Sequence, residues 1–169
     1  MRERPFTLTP NPEFIYLGMV QQEAFGHLIY GIEQRAGFIC LTGEVGTGKT
    51  TVVRTLLNRL NSDSYATALI LNPVLSPLGL LKAINHELGI HDCGNEPAEL
   101  VNHLNTFLLT QQSSGKNVVL IIDETQDLPP ETLEQIRLLS NLETTTQKLL
   151  QIILVGQPEL ETLLKRDDL

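Results

Sequence analysis

The sequence predicts an α/β fold in three layers, with helices covering both faces of a parallel sheet. Short apolar runs alternate along the chain with longer segments whose apolar residues recur at helical spacing. The runs at 38–42 and 118–122 are continuously apolar, which is typical of strands buried on both faces. A chain of 169 residues can bury one good core but not two, so residues 1–169 are expected to form a single domain.

The individual elements follow from this periodicity and from the residues that start and stop helices. Ser76 followed by Pro77 predicts a helix N-cap with proline at the first helical position. The face of that helix is predicted to carry Leu78, Leu81, Ile84 and Leu88. The predicted helices cover residues 20–32, 49–60, 97–111 and stretches that open at 77, 130 and 158, and the predicted strands cover residues 38–42, 66–71, 118–122 and 149–155.

Net charge and hydropathy argue against a large nucleic-acid interface and against a membrane span. The net charge of −8 argues against a large nucleic-acid footprint, which needs clustered lysine and arginine. A membrane span needs about 20 consecutive apolar residues. The longest run of large aliphatic residues, at 118–122, is far shorter, so no span is expected.

A complete phosphate-binding motif lies between the first predicted strand and the second predicted helix. Glycines in such a loop let backbone N–H groups turn toward phosphate oxygens, and the helix N-terminus adds positive potential. In this pattern Lys49 would reach the β- and γ-phosphates, and the Thr50 hydroxyl would coordinate Mg²⁺. The predicted nucleotide-binding residues are Gly43, Glu44, Val45, Gly46, Thr47, Gly48, Lys49, Thr50 and Thr51.

An acidic pair follows the apolar run at 118–122. On its own, such a pair is most simply a set of surface acids at a strand end. After a phosphate-binding loop, Asp123 is predicted to lie at the carboxyl edge of the sheet and to hold Mg²⁺ through its water shell. Glu124 is predicted to act as the general base that activates water. The pair therefore favours hydrolysis of the bound nucleotide over mere retention of it.

Two further features carry weaker predictions. Gln157 follows the fourth strand and fits a residue that senses the γ-phosphate, although a strand-ending turn residue would look the same. The segment 14–17, Phe-Ile-Tyr-Leu, could cover the adenine or could simply cover the core.

The sequence resembles a known family over nearly its whole length. The matching stretches are residues 5–10, 41–51, 72–76, 120–126, 137–144 and 149–160. They are similar to the ATPase domain of the general secretion pathway protein A family, the ExeA type, within the AAA+ class. Thr125 and Asp127 stand where this family often has alanine and asparagine, which leaves the acidic pair unchanged.

The resemblance implies an Mg²⁺-dependent ATPase that helps to assemble a bacterial secretion channel or a related envelope-export machine. It implies a cytoplasmic location at the inner face of the inner membrane, self-association in the full-length protein, and export components as partners. The family continues past Leu169 with a basic segment that supplies an arginine finger, a fifth strand and a helical lid. We therefore expect this chain to be a truncated core and a slow ATPase alone. Arg137 and Arg166 are the arginines left open as finger candidates.

Three other interpretations share the same core. One is an accessory ATPase of transposition or replication, and another is a helicase fragment, suggested by Asp-Glu-Thr-Gln at 123–126. The acidic charge counts against the helicase interpretation. The third is a nucleotide switch that does not hydrolyse ATP, which Glu124 disfavours.

Overall fold

A computed structural model describes residues 17–71, 75–91, 94–145 and 147–165. These ranges contain six α-helices and four strands, which alternate except that two helices lie between the second and third strands. One 3₁₀ turn follows the third strand. The helices are α1 (Met19–Glu33), α2 (Lys49–Arg59), α3 (Pro77–Glu87), α4 (Pro97–Ser113), α5 (Pro130–Leu139) and α6 (Glu159–Leu164). The strands are β1 (Phe38–Thr42), β2 (Tyr65–Ile70), β3 (Asn117–Ile122) and β4 (Leu150–Gly156), and the 3₁₀ turn is Thr125–Asp127.

The described strands form one parallel sheet in the order β1-β4-β3-β2. Thr42 at the end of β1 pairs with Gly156 at the end of β4, and Ile122 at the end of β3 pairs with Leu154. Because all four strands run in the same direction, the segments that leave β1, β3 and β4 meet at one edge of the sheet. That edge is where open α/β sheets bind ligands.

Each face of the sheet carries its own hydrophobic cluster. On one face, Leu120 of β3 packs against α3, α4, α5 and α6. Each of these helices contributes a buried leucine to the cluster: Leu80, Leu104, Leu133 and Leu160. The alternate residues of β3, Val119 and Ile121, face α1 and α2. The predicted arrangement of a parallel sheet between two helical layers is therefore confirmed.

The start of α3 shows how closely local chemistry specifies the elements. Ser76 accepts a hydrogen bond at Oγ from the Gly79 backbone N–H, 3.1 Å away, and Pro77 occupies the first turn. The buried face of α3 differs in detail from the prediction, because Leu80 is fully buried with Leu81 and Ile84. Leu78 and Leu88 are only partly buried, at the margin of the same cluster. In addition, α5 ends at Leu139, so Leu142 lies beyond this helix, partly buried against the same cluster.

In the described part of the chain, no helix combines the length and apolar character needed to cross a membrane.

Candidate active site

The turn from β1 into α2 forms the predicted phosphate-binding loop. Gly46 and Gly48 have φ values of 81° and 85°, a left-handed conformation that glycine adopts without steric cost. The Gly43 N–H donates to the Gly156 carbonyl at 3.2 Å, which ties the loop to the end of β4. The side chains of Glu44, Val45 and neighbouring residues are exposed, so the loop is open to solvent. Thr51 lies half-buried in the first turn of α2.

Most of the hydrogen bonds of this loop are made within the loop. The Thr47 hydroxyl donates to the Glu44 carbonyl at 2.8 Å. The Lys49 ammonium group donates to the carbonyls of Gly43 and Glu44, at 2.6 and 3.0 Å. These bonds hold a positive charge over the concave side of the loop and define its shape locally.

One contact to the loop comes from a distant part of the chain and was not predicted. Gln21, in the first turn of α1, donates from Nε2 to the Thr47 carbonyl at 2.9 Å. Its Oε1 accepts the Gly18 backbone N–H at 2.8 Å, so the side chain is fixed at both ends. A β-carbon at Gly48 would collide with the amide of Gln21, so a side chain there would have to displace that amide. No local sequence signal marks Gln21, because the contact exists only once α1 has packed beside the loop.

Asp123 lies where β3 reaches the carboxyl edge of the sheet. It is 4% exposed, and its N–H donates to the Ile70 carbonyl. Burial and the neighbouring Glu124 charge raise the pKa of the Asp123 carboxyl, whereas the Glu124 N–H, the Lys49 charge and a hydrogen bond from Thr50 oppose that rise. The site thus brings together Lys49, Thr50 and Asp123, which the sequence places on two separate segments. A carboxylate beside a hydroxyl offers the oxygen ligands that Mg²⁺ prefers.

Glu124 has an unusual backbone conformation for a residue with a side chain. Its φ and ψ are 51° and 39°, in the left-handed region. Such a residue is strained and persists only where neighbouring bonds over-determine it. Its N–H donates to Asp123 Oδ1 at 2.9 Å, its carbonyl accepts the Asp127 N–H, and the Thr125 hydroxyl donates to the Ile122 carbonyl at 2.9 Å. The Glu124 side chain itself is half-buried.

Gln126 connects Glu124 to the end of β4. Its Nε2 donates to Glu124 Oε2 at 2.7 Å, and its Oε1 accepts the Gln157 backbone N–H at 3.0 Å. Gln157 follows β4 directly, at the same sheet edge as the other predicted site residues. The sequence predicts roles for Glu124 and Gln157, but no signal in it marks Gln126, the residue that joins them.

Two weaker predictions have different outcomes. Residues 14–16 of the predicted adenine cover lie outside the described residues, while Leu17 packs into the cluster that includes α1 and α2. Arg137 makes two hydrogen bonds of 2.7 Å to Glu134 on the same helix, and Arg166 lies outside the described residues.

The fold and the edge of the sheet where these residues meet define the class: this is an AAA+ P-loop NTPase fold. Two solved structures share it, and at their low identity they show the fold alone. Cdc6p from Pyrobaculum aerophilum gives a TM-score of 0.63 at 19% identity, covering 97% of this chain and 44% of that one. The ORC2 protein of Aeropyrum pernix, in its ADPNP–ADP complexes, gives 0.59 at 15% identity, covering 86% of this chain and 44% of that one.

The family is shown by sequence. A family model described as an AAA domain matches residues 32–164, which is most of the chain. The chain therefore belongs to the AAA domain family. It is also 45% identical to general secretion pathway protein A from Aeromonas hydrophila over 167 residues, which confirms the resemblance noted above. That match covers 98% of this chain but 30% of the relative, so the chain spans less than a third of the relative's length.

Proposed function

We propose that this chain binds ATP with Mg²⁺ at the loop between β1 and α2 and hydrolyses it. One observation carries the proposal: the buried Asp123 carboxyl lies beside Lys49 and Thr50, and both oppose the rise in its pKa that burial causes. Lys49 and Thr50 open α2, after the loop that follows β1, whereas Asp123 follows β3 directly. A cation, a hydroxyl and a buried carboxylate converging at a helix N-terminus match what a nucleotide triphosphate and Mg²⁺ require.

Binding would use the loop as the structure describes it, with one change. Lys49 would transfer its hydrogen bonds from the carbonyls of Gly43 and Glu44 to the β- and γ-phosphates. The backbone N–H groups that follow Gly46 and Gly48 would contribute further donors. Thr50 and Asp123 would hold Mg²⁺, which neutralises charge on the phosphate oxygens when bound.

Hydrolysis would use Glu124 as the general base. The oxygen of a water molecule forms a bond to the γ-phosphorus, and the bond from that phosphorus to the bridging β–γ oxygen breaks. Glu124 accepts the proton that the water loses, and the products are ADP and inorganic phosphate. Gln157, at the end of β4, would contact the γ-phosphate.

Calorimetry with MgATP and a steady-state phosphate-release assay test this proposal directly. Saturable binding, and phosphate release that stops with EDTA, are expected. Saturable binding without release would identify a nucleotide switch, and absence of binding would overturn the proposal altogether.

The chain spans 30% of the length of general secretion pathway protein A from Aeromonas hydrophila. A role for the whole protein is therefore proposed from that relative. We propose that the whole protein self-associates at the inner face of the bacterial inner membrane, with secretion or envelope-export components as partners. The described chain would serve as its ATPase core. Its rate would depend on an arginine finger, which is worth about 10³–10⁵ in rate in related enzymes.

Double-stranded DNA distinguishes this role from that of a DNA-linked accessory ATPase. For a secretion ATPase, phosphate release should be unchanged by saturating DNA at low ionic strength, where electrostatic binding is strongest. A DNA-dependent increase in rate that disappears at high salt would favour the DNA-linked function. Sedimentation with and without MgATP tests self-association separately.

A further inference from the structure

Gln126 joins two parts of the site that the proposed function uses separately. The amide nitrogen bonds Glu124 Oε2 at 2.7 Å and lies 3.3 Å from Asp127 Oδ2. The amide oxygen accepts the N–H of Gln157, whose residue number differs by 31 and which follows a different strand. Glutamine supplies both a donor and an acceptor at the end of a single flat group.

The surrounding backbone is shaped to admit this side chain. A β-carbon at Gly156 would lie 2.7 Å from Gln126 Oε1, so a side chain there would have to displace the Gln126 amide. The left-handed conformation of Glu124 and the buried Thr125 hydroxyl fix the turn that carries Gln126. The Gln126 side chain is therefore positioned by the end of β4 on one side and by the turn after β3 on the other.

The hydrogen bond from Gln126 occupies only one of the two carboxylate oxygens of Glu124. A carboxylate has two oxygens, and a base needs only one of them to accept a proton from water. The Gln126 amide bonds Oε2 of Glu124 and leaves Oε1 for water. The same side chain would sense a displacement of Gln157, because its other end accepts the backbone N–H there.

We propose that Gln126 is a positioning residue that couples Glu124 to the end of β4. It fixes one oxygen of the base, and it moves the base when Gln157 engages the γ-phosphate. The proposal rests on the proposed function, since it assigns Glu124 as the base. A misplacement of about 1 Å in a reacting group can cost about 10² in rate, so a single bond of this kind has a measurable effect.

Two variants separate the two ends of the link. Gln126→Met keeps the length of the side chain and removes both hydrogen bonds. Gln126→Glu keeps an acceptor for the Gln157 N–H but places a second carboxylate beside Glu124. We expect kcat to fall about 10-fold or more in Gln126→Met, the loss typical of one hydrogen bond to a charged group, and at least as far in Gln126→Glu. KM for MgATP should stay within about two-fold, because the phosphate contacts are unchanged.

A double-mutant cycle with Glu124→Gln distinguishes an effect of Gln126 through Glu124 from a merely structural effect on kcat. If Gln126 acts through Glu124, Gln126→Met should cause no further loss of kcat once Glu124 has been replaced. Additive losses would overturn the proposal. So would wild-type kcat in Gln126→Met, or a KM that rises as much as kcat falls. Gln112→Met on α4 is the matched control and should leave both constants unchanged.

A spectroscopic measurement keeps this proposal separable from the proposed function. In ¹⁵N-labelled protein, the Gln126 side-chain amide resonance should shift in Glu124→Gln, and the Gln157 backbone amide should shift in Gln126→Met but much less in Gln126→Glu. If the variants show these shifts but the wild-type protein never releases phosphate, the proposed function fails and the link stands. If wild type hydrolyses ATP and the shifts are absent, the link is wrong and the proposed function stands.

Discussion

Lys49 and Thr47 hydrogen-bond within the loop that carries them, whereas Glu124 is held by a side chain that also reaches a different strand. These two regions form the two halves of the candidate site. The phosphate-binding half is almost continuous in sequence and is shaped by its own carbonyls and glycines. The acidic half is assembled from the ends of β3 and β4 and from the turn between β3 and α5.

The difference in construction implies a difference in function. A local loop can keep its shape while the rest of the sheet edge shifts, which suits a half that binds. The acidic half is hydrogen-bonded between β3 and β4, so its geometry changes when the end of either strand moves. This suits a half that responds to the γ-phosphate. Variants in the two halves should therefore separate binding from turnover.

The largest effect is expected in the acidic half. Glu124→Gln keeps the size of the side chain and removes the base, so phosphate release should fall by about 10²–10⁴-fold. The affinity for MgATP, measured by calorimetry, should stay within about two-fold. Glu131→Gln, at an exposed position in the first turn of α5, is the control and should change neither quantity. Equal turnover in Glu124→Gln and wild type would remove Glu124 from the mechanism.

The second-largest effect is expected from a substitution in the phosphate-binding half. Lys49→Ala removes hydrogen bonds from a charged group to the phosphates, so MgATP should bind about 10- to 150-fold more weakly. Calorimetry measures the loss, and Lys82→Ala on the exposed side of α3 controls for the change in net charge. Affinity that is equally reduced in both variants would mean that general electrostatics, rather than the loop, holds the nucleotide.

Much of the fold was predictable because its signals are local. Apolar runs and helix caps placed every strand within about a residue or two, and Ser76 with Pro77 marked the start of α3 correctly. The phosphate-binding loop was predictable for the same reason, since its residues adjoin one another. The buried face of α3 was only partly predicted, because Leu78 and Leu80 both fit helical periodicity and only the packed sheet decides between them.

The acidic half shows where sequence reasoning stops. Asp123 and Glu124 could be placed at a strand end, but the left-handed backbone of Glu124 has no signal in a non-glycine residue. Gln126 could not be assigned, because its partner Gln157 becomes a neighbour only when β3 and β4 pair. Gln21 escaped for the same reason on the other side of the site. The roles of these residues remain predictions for the experiments described here.

A smaller effect should appear in stability. Burial raises the pKa of Asp123 above the ordinary value of 3.8, so the folded protein binds more protons than the unfolded chain between the two pKa values. Stability therefore falls as pH rises through that window, and at neutral pH the ionised carboxylate costs stability. Asp123→Asn keeps an acceptor for the Glu124 N–H and removes the buried charge.

We expect Asp123→Asn to melt at a higher temperature than wild type without nucleotide. Each kcal/mol gained corresponds to about 2–4 °C for a chain of this size. The gain should be larger at about pH 7 than at about pH 4, where wild-type Asp123 is more protonated. The variant should also lose the stabilisation that Mg²⁺ adds to ATP binding. A variant less stable than wild type at both pH values would show that the ionised Asp123 stabilises the empty fold.

The smallest effect tests whether the phosphate-binding half is as local as its hydrogen bonds suggest. Gln21 holds the Thr47 carbonyl toward α1. Because the C=O and N–H of one trans peptide point in opposite directions, this bond turns the Gly48 N–H away from α1. Losing the bond frees that peptide to rotate, and a donor to phosphate then has to be ordered during binding. Gln21→Ala should therefore weaken MgATP binding about 2- to 10-fold, the range for one neutral hydrogen bond.

Gln22→Ala provides the matched control. Gln22 is adjacent on the same helix and donates to the Leu17 carbonyl at 2.9 Å, so its replacement also removes a hydrogen bond near the start of α1. It makes no described hydrogen bond to the loop. If α1 orients the loop, Gln21→Ala weakens MgATP binding while Gln22→Ala leaves it unchanged, even where both lower the melting temperature equally. If the loop is shaped by its own bonds alone, the two variants bind MgATP equally well, and the contact from Gln21 contributes only to the stability of α1.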